Sequence, residues 1–343
     1  MLQVIEFVAT VALAASVPEA IEAEVKRLES LIPEEQRKGI AEKEIATALE
    51  RLPKVKEDLA AGRVELAFDR LAYAQDILES AAFLGRHQAD VQDSDAFLAL
   101  WEAEGRVLEE KAAKLNSLDL SSKTALVRAW TELYINRILP HHRASKMYAR
   151  FGISGGLYYL GSARAAASFA ELWAGVDDRP TGKPPRFRSL APFEAELSRS
   201  TVDAYGSEDS STVHHRNFIR LDSALKEARR LLSEHRDFGT ASALLEARLR
   251  LGLIQLPSGP ATPDPEKTLY RDRLFDEATD HSLARAAWER AVALSTQGED
   301  ERREAVVLFE TVIPFYFELL EDRSAGPFPA REALGVGPRR TED

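Results

Sequence analysis

The chain reads as an all-α protein, a helical bundle or array of helical hairpins in two subdomains. Three observations predict this. Apolar residues recur at helical spacing along most of the 343 residues. Alternating apolar and polar runs, the mark of half-buried strands, are scarce. Proline and glycine cluster mostly between the periodic segments, where they mark helix ends and kinks.

Taken in order, Pro18 to Leu31 forms a first helix, with Pro18 suited to its opening turn. Ala41 to Ala61 follows, with Pro53 as a kink or boundary. Gly62 turns the chain into Arg63–Leu84, where Val64, Ala67, Phe68, Leu71, Ala74, Leu78 and Ala81 make one apolar face that Gly85 closes. Asp90 to Leu115 opens with aspartates, favourable at the positive end of a helix dipole. Thr124 to Leu139 carries Leu126, Trp130, Leu133, Tyr134 and Ile138, and Pro140 interrupts it. A glycine-rich stretch, Phe151 to Gly161, joins this helix to Ala163–Trp173 as a break in a helix crossing the middle of the protein.

Residues 177–216 hold Pro180, Pro184, Pro185 and Pro192 and a run of serines and acids, and read as a polar, proline-rich linker or long loop, with room for a short helix over Pro192–Leu197. Beyond it, Phe218, Leu221, Leu225, Ala228 and Leu232 step by three and four, the seam of a closely packed helix. Thr240–Leu253, Ser282–Leu294 and a last face over Ala305–Leu319, with a kink at Pro314, complete the list. The organisation is therefore an N-terminal helical domain over 17–176, the linker, a C-terminal helical domain over 217–322, and a tail over 323–343. Residues 1–16 fit two readings equally, a secretory signal or the start of the first helix, so localisation is left between export and the cytoplasm.

Composition excludes several classes. A net charge of −11 repels phosphate backbones, so nucleic acid is not an expected partner. No uncharged run is long enough to span a bilayer. The absence of cysteine removes disulfides, thiolate metal sites and cysteine nucleophiles. Neither a cofactor loop nor a metal-ligand spacing is present, so no cofactor and no metal are expected; the repeated His-His-Arg, at His141–Arg143 and His214–Arg216, presents adjacent imidazoles about 100° apart on a helix.

Three helix–turn–helix pairs stand out: Ala41–Ala61 with Arg63–Leu84, Phe218–Glu234 with Thr240–Leu253, and Ser282–Leu294 with Asp300–Leu320. In the first two, small residues follow the turn glycine, as Gly62 and Ala67 and as Gly239, Ala243 and Ala247. This loosely resembles tetratricopeptide-like hairpins over about a third of the chain, without their 34-residue period or their signature residues. The resemblance implies a scaffold of stacked hairpins.

Two motifs bear on chemistry. Gly152-Ile153-Ser154-Gly155-Gly156 has the G-x-S-x-G form of a nucleophile elbow, which would make Ser154 the nucleophile of a serine hydrolase, but the elbow needs a strand before it. The same segment reads as an anion site. Glycine-rich backbone at a helix start offers free N–H groups, and His142, Arg143, Lys146, Arg150 and Arg164 add positive charge around Ser154, Gly155 and Gly156. The favoured expectation is a non-enzymatic helical scaffold that binds a protein partner or a small ligand in a groove between helices. A carboxylate- or phosphate-binding protein or enzyme using 141–164 is the alternative, and the Ser154 hydrolase the second.

Overall fold

In the computed structural model, residues 16–33, 42–206, 213–256, 259, 261–265 and 270–321 are described. Among them the regular structure is helical, and β pairing is confined to two isolated bridges, Lys183 with Thr279 and Phe187 with Leu320. The expected fold class is the one observed. No helix of the described residues is long and apolar enough to cross a membrane. Residues 1–15 and 322–343, where the leader and tail readings fall, lie outside the described set.

The helices are α1 (Val17–Glu29), α2 (Glu42–Ala60), α3 (Val64–His87), α4 (Ser94–Asn116), α5 (Ala125–Tyr148), α6 (Ile153–Gly175), α7 (Ala191–Tyr205), α8 (His215–Ser233), α9 (Asp237–Gln255), the short α10 (Arg271–Leu274), α11 (Ser282–Leu294), α12 (Glu299–Val307) and α13 (Ile313–Leu319). α5 and α6 make the most extensive helix pair, and α6 lies across α3. α2 packs on α3, α8 on α9, and α11 on α12, the three hairpins expected from the sequence. Ser16 and Glu19 form a reciprocal capping box at α1. Asp93 accepts from Ala96 N at the start of α4. Gly62, at φ +73°, makes the α2–α3 turn with a left-handed backbone that suits glycine.

Several expected boundaries move, each for a packing reason. Pro140 and Pro53 lie inside α5 and α2 rather than ending them. In α5 a proline removes one backbone bond, but Ile138, His142 and Ser145 around it are buried and hold the helix together. Gly85 likewise sits within α3, which runs on to His87. α6 begins ten residues earlier than expected, at Ile153, so most of the glycine cluster is helical. A Cβ on Gly156 would lie 2.7 Å from Phe97, and one on Gly161 would lie 2.5 Å from Ser80 Cα. These glycines serve close helix approach, and the break is confined to the turn between Tyr148 and Ile153. Segment 177–216, read as linker or loop, contains α7, whose Leu197 is buried, and its extended part donates from Arg188 N to Leu319 O. Before Pro314, whose missing N–H cannot serve Glu310, the helix widens into a π-turn over Leu308–Val312.

The largest core cluster joins buried residues of α1–α3, α5, α6, α8, α9 and the α11–α13 helices. At its centre Phe68 stacks on Trp130 with ring centroids 3.7 Å apart, and Trp173 and Phe169 close around them. Three hydrogen bonds tie distant parts of the chain through helix starts. The first amides of α5 are received from afar: Ala125 N donates to Asp280 Oδ2 at 2.5 Å and Leu126 N to Ser282 Oγ at 3.0 Å. Gly239 N, in the first turn of α9, donates to Glu132 Oε2 of α5 at 2.7 Å.

Candidate functional site

The residues expected to form an anion site fall into separate neighbourhoods. His142 is buried and stacks on Trp101 with centroids 4.3 Å apart. Its Nε2 lies 3.0 Å from Trp101 O, and Trp101 Nε1 donates to His142 O at 3.0 Å, so the pair staples α5 to α4. The Lys146 ammonium lies 4.4 Å over the Trp101 ring. Arg164 donates to both carboxylate oxygens of Glu104, at 2.8 and 2.7 Å. Arg143, Arg150 and Ser154 are exposed. The amides of Gly155 and Gly156 donate to Gly152 O, at 3.0 and 3.3 Å. Ser154 sits in the first turn of α6, after a helix and a short turn, without the strand that a nucleophile elbow requires.

A different place gathers the chemistry. α3 forms one wall of a groove whose other walls come from α5, α6, α8, α9, α11 and the π-turn. Two cavities open along it. One, of about 290 Å³, is lined by Gln75, Asp76, His141 and Ser162. The other, of about 460 Å³, is lined by Glu65, Asp69, Arg220, Glu246, Arg250 and Arg290, with Phe68 and Trp130 among its apolar residues. Ala72, Tyr73, Tyr134 and Arg137 line both, which makes the two cavities one groove.

Local sequence explains how it is built. On α3, Glu65, Asp69, Tyr73 and Asp76 recur at steps of four and three, with Ala72 beside them, a second stripe next to the apolar one. Tyr134, Arg137 and His141 make the same spacing on α5. Arg137 spans from α5 to α8, donating from Nε and Nη2 to the two oxygens of Glu227 at 2.7 and 2.9 Å, with its guanidinium 4.7 Å over the Tyr134 ring. Arg51, from α2, sits 3.8 Å over Tyr73.

The larger cavity is crowded with charge. Arg290 of α11 bridges Asp69 at 2.6 Å and Glu304 at 2.6 and 3.0 Å. Arg250 donates to Glu246 at 2.7 Å. Asp69 is the exposed member of this cluster, with 46% of its side-chain surface accessible. Burial pushes Glu65 up to about 8; Arg290 opposes this, while Asp69, Glu246 and Glu304 add to it. Burial raises Asp69 in the same way. Burial would also raise Glu246, but Arg250 and Arg290 outweigh it and hold that carboxyl below its ordinary range. Arg220 is lowered by burial and by Arg250 and Arg216 beside it. In the smaller cavity burial lowers His141, with Asp76 pulling the other way.

Three buried polar atoms on this groove have no hydrogen-bond partner: Glu65 Oε2, Gln75 Oε1 and His141 Nδ1. Of these only His141 was singled out from the sequence, in the His-His-Arg repeat; Glu65 and Gln75 were not, since charges on amphipathic helices read as solvated faces. The signal that could have found Glu65 is the second stripe on α3, and His141 falls on the matching stripe of α5. Among the described residues no group of histidines and carboxylates is arranged to hold a metal ion.

Among the described residues the architecture is an all-α bundle with an open groove between its helices that carries charged and aromatic side chains. Comparison with protein-family models, curated proteins and solved structures finds no match.

Proposed function

We propose that this protein is a non-enzymatic helical binding protein that takes a small ligand into the groove between α3, α5 and the C-terminal helices. The observation that carries this reading is the set of three buried, unpartnered polar atoms along two adjoining cavities. A buried polar group left unmatched costs about 1–3 kcal/mol, so its persistence on a cavity wall favours a partner supplied from outside. The concave shape and the modest volumes favour a small molecule over a protein surface, and the net charge of −11 disfavours nucleic acid.

The reading is tested by blocking the junction. Ala72 lines both cavities, and Ala72→Trp fills the space between them. Protein purified under mild conditions is screened by thermal shift against a library of metabolites and followed by calorimetry. Ligands that stabilise the natural protein should lose at least tenfold in affinity in the variant, with its helical content unchanged. Equal affinity for both proteins would place binding elsewhere and reject the groove.

A further inference from the structure

Resting on the groove reading, we propose that the smaller cavity takes an uncharged, largely apolar ligand that donates a hydroxyl hydrogen bond to Gln75 Oε1, with phenol as the simplest member of the class.

Gln75 of α3 is 2% exposed and lines this cavity. Its amide is held one way round. Nε2 donates to Glu79 Oε1 at 3.2 Å, and exchanging the two ends would set the carbonyl oxygen against a carboxylate. Oε1 is therefore the free end, and it accepts no hydrogen bond. Ser162, on the α6 wall, does not serve it, since its hydroxyl pairs with Ser80 Oγ at 2.9 Å. Arg137, on the α5 wall, is bound to Glu227 through Nε and Nη2. A buried carbonyl without a donor costs about 1–3 kcal/mol, which a donor from outside recovers.

The second unpartnered atom of this cavity narrows the choice. It is His141 Nδ1, from α5. Burial keeps the imidazole neutral, with Asp76 pulling the other way. In a neutral ring that nitrogen either carries the proton or accepts one. A hydroxyl both donates and accepts, so it matches Gln75 and either form of His141, whereas an ammonium only donates and a carboxylate only accepts. The charges that act most on His141 are two of each sign, Asp76 and Glu227 against Arg137 and Arg230, so the site has no excess that calls for an ion. Ala72, Ala165, Ala166 and Phe169 give the cavity an apolar wall. Its volume of about 290 Å³ lies at the lower end of the roughly 300–1,000 Å³ span of ligand pockets, which suits a molecule of one ring.

The probes are phenol and toluene, alike in shape, toluene being the more apolar. Burial of apolar surface alone favours toluene, and the inference requires the reverse order. By calorimetry the full chain should bind phenol with a dissociation constant below about 10 mM, and about tenfold more tightly than toluene. Phenol should also shift the Gln75 side-chain amide signal in a nitrogen–proton NMR spectrum, and toluene should move it less. Gln75→Met keeps the side-chain length and removes the carbonyl, so it should bring phenol down to the level of toluene. Ala72→Trp should lose both probes.

Phenol that does not bind at about 10 mM, toluene that binds as tightly as phenol, or a Gln75 amide signal that phenol leaves in place overturns the hydroxyl assignment. So does a folded Gln75→Met protein that keeps the preference for phenol. The amide signal is read on the natural protein, so the test holds even where Gln75→Met fails to fold. If phenol and toluene bind equally and both fail in Ala72→Trp, the groove reading stands and the assignment to Gln75 falls. If phenol keeps its preference in Ala72→Trp, binding lies elsewhere and both fall.

Discussion

Glutamine at position 65 removes a charge that this fold holds at a cost. Burial pushes the carboxyl up to about 8 in the folded protein, against roughly 4.3 in an unfolded chain. Between those values the folded state binds a proton that the unfolded state has given up. Stability of the natural protein therefore falls as pH rises from the lower value to the upper, and the loss is complete above it. At about 1.4 kcal/mol per pH unit the ceiling is about 5 kcal/mol. Water reaches part of the side chain, and Asp69 titrates in the same field, so about 2–3 kcal/mol is the expected size. Glu65→Gln keeps the shape and the neutral form. The assay is urea unfolding of both proteins at pH 5, 7 and 9, followed by far-UV circular dichroism. The two should be nearly equal at pH 5, and the variant more stable at pH 9. A difference between them that stays constant from pH 5 to pH 9 would refute the claim that burial holds the Glu65 carboxyl above its ordinary range.

Gly161→Ala should cost about 1–3 kcal/mol, because its Cβ would meet the Ser80 backbone at 2.5 Å, whereas Gly85→Ala, with open space around it, should stabilise by up to about 1 kcal/mol; thermal melts of both compare the two. His142→Ala should lose about 1–3 kcal/mol in denaturant unfolding, since the Trp101 stack and the bond to Trp101 O both go. The His141 imidazole should titrate below the ordinary histidine range by NMR, and lower still in Asp76→Asn, because Asp76 is the charge that favours its protonated form. A titration of His141 at or above the free-histidine value would show that the small cavity does not enclose it.

The helical class and the paired helices were legible because burial follows a 3.6-residue stripe, and that stripe is written in Val64, Leu71 and Leu78 or in Leu221, Leu225 and Ala228. Helix ends were less legible where packing outweighs propensity. Gly155, Gly156 and Gly161 read as a long break and are instead points where α6 meets α3, α4 and the end of α5. The π-turn before Pro314 left only the expectation of a kink. The groove was hardest to read. Glu65, Asp69 and Arg290 are ordinary surface types, and only the approach of α11 to α3 turns them inward to one cavity. Conversely, Arg143 and Arg150, which drew notice as unusual positive density in an acidic chain, stay at the surface. Residue type reports chemistry, but which face is enclosed depends on partners more than a hundred residues away.

The receipt of Ala125 N by Asp280 and of Leu126 N by Ser282 bears on synthesis. A ribosome delivers the opening turn of α5 long before the carboxylate and hydroxyl that close it, and Glu132 must wait in turn for Gly239. During that interval the middle helix of the nascent chain has loose amides at one end and a hydrophobic flank awaiting cover. The finished arrangement is therefore reached only when the last third of the polypeptide has left the tunnel, and a chain halted before Asp280 would present α5 to chaperones with its first turn unfastened.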